Sequence, residues 1–195
     1  MGFLLEMALE ERFFDELRTK QQVGYAVSCT ARHTHGVLGF SFDVTSSRVA
    51  PSDIDARIDA FLKGVQRWLD DDVDDAEVRE LCASLAARLL RPDSGLFEES
   101  RAHWQALEDR SLAFHDRFAL AHWLTHSGAK GTGPGAKALR AFYKRGFVPG
   151  ASLSVWVVGA LCSVANAQAE RAKLKPKEAL DQPEQVHAAC EVWRL

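Results

Sequence analysis

The sequence has no surplus of positive charge: 24 Lys and Arg stand against 27 Asp and Glu over 195 residues, for a net charge of −3 and a pI near 6.2. Phosphate affinity draws on an excess of Lys and Arg, so the balance argues against a dedicated nucleic-acid binder. No apolar run approaches the roughly 20 residues needed to cross a bilayer, which argues against a membrane span. The opening Met1-Gly2-Phe3-Leu4-Leu5-Glu6 has no basic stretch and soon meets an acid, so it does not read as a signal peptide. The four cysteines, Cys29, Cys82, Cys162 and Cys190, are far apart and form no CxxC pair. Without a secretory signal they read as free thiols in a reducing, cytoplasmic setting. What is present is ordinary for a globular chain, 47% hydrophobic and 26% charged. At about 150 residues per domain, it holds one domain, or one plus a tail.

Hydrophobic spacing organises the chain. Leu5, Leu9, Phe13 and Leu17 recur every fourth residue, which predicts an amphipathic helix over about 3–20. A domain that opens on so large an apolar stripe needs something before it to cover that stripe. The chain therefore reads as a fragment, or as a domain without its first strands. Val23, Tyr25, Val27 and Cys29 alternate, as do Leu38, Phe40, Phe42 and Val44, which predicts a β-hairpin turning through Arg32–Gly36 with a left-handed Gly36. After Pro51 the period becomes helical, with Ile54, Ile58, Phe61, Leu62, Val65 and Leu69 on one face and Ser52 or Asp53 as N-cap. The acidic run 70–75 separates this helix from the next, which carries Val78, Leu81, Cys82, Leu85 and Leu89; Asp74 and Glu77 have capping-box spacing. Two further helices hold Phe97, Trp104 and Leu107, then Phe118, Leu120, Ala121 and Leu124. A flexible glycine loop, Gly128–Gly135, precedes a short helix with Leu139, Phe142 and Tyr143 and a strand over Leu153–Val158. The order is α+β, with helices packed on one face of a mostly antiparallel sheet.

Few residues in this pattern point to chemistry by themselves. His122 and His126 stand at i and i+4 on one helix face, the separation that lets two imidazoles reach one zinc. Thr125 occupies the place of the glutamate in the inverted zinc frame H-x-x-E-H, so the motif lacks a group to take a proton from a metal-bound water. Two ordinary histidines on a helix are the simpler reading. His33-x-His35 in a turn has no third ligand close in sequence. The glycine loop lacks the Gly-Lys-Ser/Thr ending of a P-loop and the G-x-G-x-x-G spacing. The acidic run is a solvated helix boundary rather than a calcium site.

The segment around Phe14, Leu17-Arg18-Thr19-Lys20, Gln22 and Gly24-Tyr25 stands apart. There a helix ends in a basic, polar turn and runs directly into a strand. On the residues alone, Arg18 and Lys20 complement a helix C-terminus and Tyr25 is a half-buried strand tyrosine. The string F-x-x-L-R-T-K-x-Q-x-G-Y also resembles the last domain of the pitrilysin, insulin-degrading-enzyme and nardilysin group of inverzincin metallopeptidases. Further likeness follows in the family's order: the hairpin Gly36 to Val44, Arg57-Ile58-Asp59-Ala60-Phe61-Leu62, Leu139-Arg140-Ala141-Phe142-Tyr143 and Gln182-Pro183-Glu184.

The resemblance implies a LuxS/mitochondrial-processing-peptidase-like metallohydrolase fold lacking its first strands. Residues 1–160 would form a truncated C-terminal domain and residues 161–195 a polar tail. Such enzymes are two halves closing on a chamber, with the zinc and its H-x-x-E-H helix in the first domain. The last domain, catalytically degenerate, adds an arginine and a tyrosine to the composite site, which here are Arg18 and Tyr25. Arg18 would hold substrate peptide carbonyls, and Tyr25 would bind substrate and stabilise the oxyanion. The implied partners are peptide substrates and the N-terminal half of the same enzyme, with a homodimer of the parent also open; no nucleic acid and no membrane are implied. The zinc belongs to the parent's N-terminal domain, and this chain contributes no metal ligand. The alternative reading is a catalytically dead structural or interaction domain, like the core subunits related to processing peptidases. On the leading reading the chain alone neither binds catalytic zinc nor cleaves peptides. Metal analysis and a fluorogenic-peptide assay are expected to be negative, and stoichiometric zinc with turnover abolished by His122→Ala would contradict this.

Overall fold

The computed structural model describes residues 1–34, 37–108, 112–127, 133–147 and 152–157. The first helix, α1 (Gly2–Phe14), carries Leu4, Leu5, Leu9 and Phe13, all fully buried. The stripe expected to lack part of its cover is therefore fully covered: α1 packs against the first strand and the third helix, and Leu17 beyond it is also sealed. Each such side chain contributes about 1.5–3 kcal/mol relative to remaining exposed. The expected helix over 3–20 changes character near its end. Residues Asp15–Lys20 form a π-helical segment, visible in the Gln21 N–H donating five residues back to the Glu16 carbonyl at 3.0 Å.

Strands β1 (Ala26–Thr34) and β2 (Val37–Thr45) pair antiparallel, with Val27 opposite Val44, Cys29 opposite Phe42 and Thr30 opposite Ser41. The period of two puts Val27 and Cys29 into the core and leaves Ser28 and Thr30 in solvent. The strand starts three residues later than the alternation implied. It also runs through Arg32, His33 and Thr34, expected in the turn, because the ladder continues to the Thr34–Val37 pair. Gly36 lies outside the described residues. Phe13 is the hub between sheet and helices, edge-on to Phe42 at 5.2 Å and to Phe61 at 5.1 Å.

Helix α2 (Pro51–Asp71) buries Phe61, Val65, Trp68 and Leu69. Its N-cap is Ala50 rather than Ser52 or Asp53, since Pro51 takes the first helical position, where its missing N–H costs nothing. Helix α3 (Asp75–Leu89) is capped as expected, Asp74 Oδ1 accepting from the N–H groups of Ala76 and Glu77 at 2.8 Å each. Helix α4 (Leu96–Glu108) forms, but none of its residues is buried, and Leu96, Phe97 and Trp104 face solvent. Helix α5 (Asp116–His126) packs on α3, and Arg117 pairs with Asp93 at 2.7 Å.

Helix α6 (Ala136–Phe147) closes over α2. Arg140 donates to the Leu69 and Val73 carbonyls, satisfying acceptors at the end of α2, and the Tyr143 hydroxyl donates to the Leu62 carbonyl at 2.8 Å. The described end of the glycine loop is not free: Gly133 and Pro134 are buried, and Asp75 Oδ1 accepts the Ala136 N–H at 2.8 Å. Gly133 needs its φ of +88°, which a side chain would oppose. Residues 152–157 are irregular rather than a strand and pair with neither β1 nor β2; Val155 and Val157 are exposed. Residues 128–132 of the glycine loop, Val158 and the tail with Gln182-Pro183-Glu184, Cys162 and Cys190 lie outside the described residues.

Burial pushes the Cys29 thiol up to about 12, helped by the nearby carboxylates of Glu6, Glu10 and Asp43. Folding therefore favours the protonated thiol: its contribution to stability is complete below about pH 9 and is lost as pH rises toward 12. At pH 8 the thiolate, the form that reacts, is therefore scarce. Iodoacetamide at pH 8 is expected to spare Cys29 in the folded chain and modify it after unfolding in urea, read by peptide mapping. Labelling in the folded chain at the rate of an exposed thiol would contradict the burial.

Candidate functional site

The junction between the π-helical segment and β1 is built from the motif residues themselves. Leu17 is fully buried and anchors the segment. The chain then reverses at Gln22, a non-glycine residue at φ 50°, in the left-handed region that ends many helices but favours glycine. The Val23 N–H donates back to the Leu17 carbonyl at 2.8 Å, closing the turn one residue wider than an α-helical ending because the segment before it is π.

Gly24 follows, and the reason for glycine is space. A Cβ there would collide with the Thr45 carbonyl oxygen, backbone that cannot move aside cheaply. The same carbonyl accepts the Tyr25 N–H at 3.0 Å, docking the junction onto the end of β2. Arg18 Nη1 donates to the Gly24 carbonyl at 2.8 Å. The guanidinium expected to face substrate thus holds the junction with one of its five N–H donors, and among the described residues the others make no further hydrogen bond. Tyr25 lies just before β1 and is 66% exposed, so it is not the half-buried strand tyrosine of the simpler reading. The structure therefore brings Arg18 and Tyr25 to one short junction, linked through the Gly24 carbonyl and the next peptide.

Residues from outside the motif complete this junction. Ser46 Oγ donates to the Val23 carbonyl at 2.6 Å, and Arg48 Nη2 donates to the Gln22 carbonyl at 3.1 Å. On the other side, Arg57 Nη1 donates to Gln21 Oε1 at 2.8 Å, and Gln21 Nε2 to Glu16 Oε1 at 2.9 Å. Lys20 pairs with Asp15 at 2.8 Å and Glu16 at 3.5 Å, which raises its pKa, chiefly through the hydrogen bond to Asp15. Arg57 stood in the family-like string, whereas Ser46 and Arg48 had no linear signal beyond lying in a polar loop. A groove of ≈ 340 Å³ opens beside the segment between Asp15, Glu16 and Lys20 on one wall and Phe61, Gly64 and Trp68 on the other.

The histidine pair is elsewhere. The rings of His122 and His126 stack with centroids 4.4 Å apart and 9° between planes, and His126 Nδ1 contacts Thr125 Oγ1 at 2.7 Å. Parallel rings do not converge on a common point, and among the described residues no three of His, Cys, Asp and Glu gather where a metal ion would sit. The donor set of the described residues therefore does not fit a catalytic zinc. Among the described residues no helix is long and apolar enough to cross a membrane.

The likeness to known proteins spans the junction and extends beyond it. Residues 4–104, just over half of the chain, match the family model described as PQQ synthase PqqF-like, C-terminal lobe domain 4. A nardilysin-like protein of Arabidopsis thaliana is 36% identical over 111 residues, 57% of this chain and 11% of that one. Nardilysin of Homo sapiens is 32% identical over 167 residues, 80% of this chain and 13% of its own length. The crystal structure of pitrilysin shares the fold, with a TM-score of 0.60 over 75% of this chain and 15% of that chain at 21% identity. The fold is that of a C-terminal metallopeptidase-family domain. The chain belongs to the PqqF-like C-terminal lobe domain 4 family, within the pitrilysin, insulin-degrading-enzyme and nardilysin group. It spans about an eighth of the length of these relatives, which are larger single chains.

The close approach at Gly24 gives a direct check of the junction. Gly24→Ala is expected to lower stability by about 2 kcal/mol or more, because either the turn or the end of β2 must shift. Urea unfolding of the variant measures this, and an unchanged midpoint would contradict the contact.

Proposed function

We propose that this chain is the non-catalytic C-terminal domain of an insulin-degrading-enzyme-like zinc metallopeptidase, adding Arg18 and Tyr25 to an active site whose metal lies in another part of the parent polypeptide. One observation carries the reading. Tyr25 presents an exposed phenol directly after a peptide unit that is hydrogen-bonded at both its carbonyl and its N–H, so the side chain projects from a fixed backbone.

The chemistry suits peptide hydrolysis. When a peptide carbonyl is attacked, negative charge develops on its oxygen, and a hydroxyl already aimed at that point stabilises the transition state more than the ground state. Tyr25 supplies such a donor. The donors of Arg18 not engaged with Gly24 are a planar fork suited to the carbonyls of an extended peptide. Peptide substrates and the N-terminal half of the same enzyme are the partners this reading requires. The outward sheet face of Ser28, Thr30, Ser41 and Asp43 gives the polar lining expected of a chamber wall.

In the full-length parent, Tyr25→Phe is expected to lower kcat/KM about 100-fold, the usual cost of removing one oxyanion donor, with circular dichroism and melting temperature unchanged. An unaltered kcat/KM would remove the transition-state role.

A further inference from the structure

Three consecutive carbonyls at the junction each accept a hydrogen bond from a different side chain. Gln22 receives Arg48 at 3.1 Å, Val23 receives Ser46 at 2.6 Å and Gly24 receives Arg18 at 2.8 Å. The donors come from two places, Arg18 from the π-helical segment and the other two from the loop between β2 and α2. That loop is itself ordered by Ser46, whose Oγ also accepts the backbone N–H groups of Arg48 at 3.1 Å and Val49 at 3.0 Å. One hydroxyl thus uses its single proton and both lone pairs, joining the loop to the turn. The clamp also holds Gln22 in its left-handed conformation, which costs about 1–3 kcal/mol and persists only where the surroundings enforce it.

We infer that Ser46 and Arg48 are positioning residues for Tyr25, fixing the peptide units of residues 22–24 so that the next residue presents its phenol from one place. This rests on the reading of Tyr25 as a substrate-facing donor. Neither residue touches the Tyr25 ring in any hydrogen bond of the described residues; both act through the backbone before it. A misplacement of about 1 Å at a catalytic group costs up to 100-fold in rate, so a clamp of this kind is worth keeping.

The test combines the chain itself with its full-length parent. The chain has two tyrosines, Tyr25 and Tyr143, and the second is buried in α6, so 3-fluorotyrosine ¹⁹F NMR reads the site and an internal control together. Ser46→Ala is expected to shift the Tyr25 resonance and speed amide exchange of Val23 and Tyr25 about 10-fold, leaving Tyr143 in place, while Ser46→Thr, which keeps the hydroxyl, behaves as wild type. An unchanged Tyr25 resonance and exchange rate in Ser46→Ala would overturn the inference. If that variant also disturbs Tyr143, Arg48→Ala, at an exposed position, carries the same test with the same two outcomes. In the full-length parent, Ser46→Ala is expected to lower kcat about 10-fold at a KM within about twofold, and to have no further effect in a Tyr25→Phe background. An equal loss in both backgrounds would overturn positioning through Tyr25. A silent Tyr25→Phe would instead defeat the proposed function, and the NMR and exchange result would still decide whether the clamp fixes residues 22–25.

Discussion

The contact between the Gly24 backbone and the Thr45 carbonyl is the constraint on which the rest of the junction depends. Only a residue without a side chain lets the two backbones meet there, and that approach lets Tyr25 bond to Thr45 and start the pairing of β1 with β2. It also brings the loop after β2 within reach of Gln22 and Val23, so that Ser46 and Arg48 can clamp the turn. Behind it, the π-helical segment delivers Leu17 to the core and Arg18 to the Gly24 carbonyl. Helix, turn and strand are thus one mechanical unit with an exposed tyrosine at its tip.

The surrounding helices make that unit firm. Phe13 sits between Phe42 on the sheet and Phe61 on α2, so the last turn of α1 cannot shift without disturbing both. Arg140 and Tyr143 on α6 bond to carbonyls of α2 and its C-terminal end, and Asp75 on α3 caps α6. Arg57, on α2, reaches back to Gln21. Helix α2 therefore serves both ends, packing Phe61 on Phe13 of α1 and holding Gln21 of the junction through Arg57.

Much of this was legible in the sequence, for identifiable physical reasons. The four-residue spacing of Leu5, Leu9, Phe13 and Leu17 and the alternation around Val27 and Phe42 report burial directly, so helix and hairpin followed from them. The string from Phe14 to Tyr25 was dense enough to indicate the family, which the match over residues 4–104 bears out. Other features were not legible because they arise between distant segments. The π geometry of Asp15–Lys20 has no periodicity of its own over six residues. Ser46 and Arg48 bond to carbonyls 23 and 26 residues away, and backbone acceptors leave no trace in sequence. The strand expected from Leu153 onward had the right alternation but pairs with no strand of the described residues, and alternation reports side-chain burial without fixing a ladder partner.

On the proposed function, Tyr25 meets substrate from a preformed junction. The most direct measurement is a structure of the full-length parent with a peptide bound in its chamber. The Tyr25 hydroxyl is expected within about 3 Å of a substrate carbonyl oxygen, with the clamp of Arg18, Ser46 and Arg48 on residues 22–24 unchanged. A bound peptide with Tyr25 turned away from it, or a junction rebuilt on binding with those three bonds broken, would contradict it.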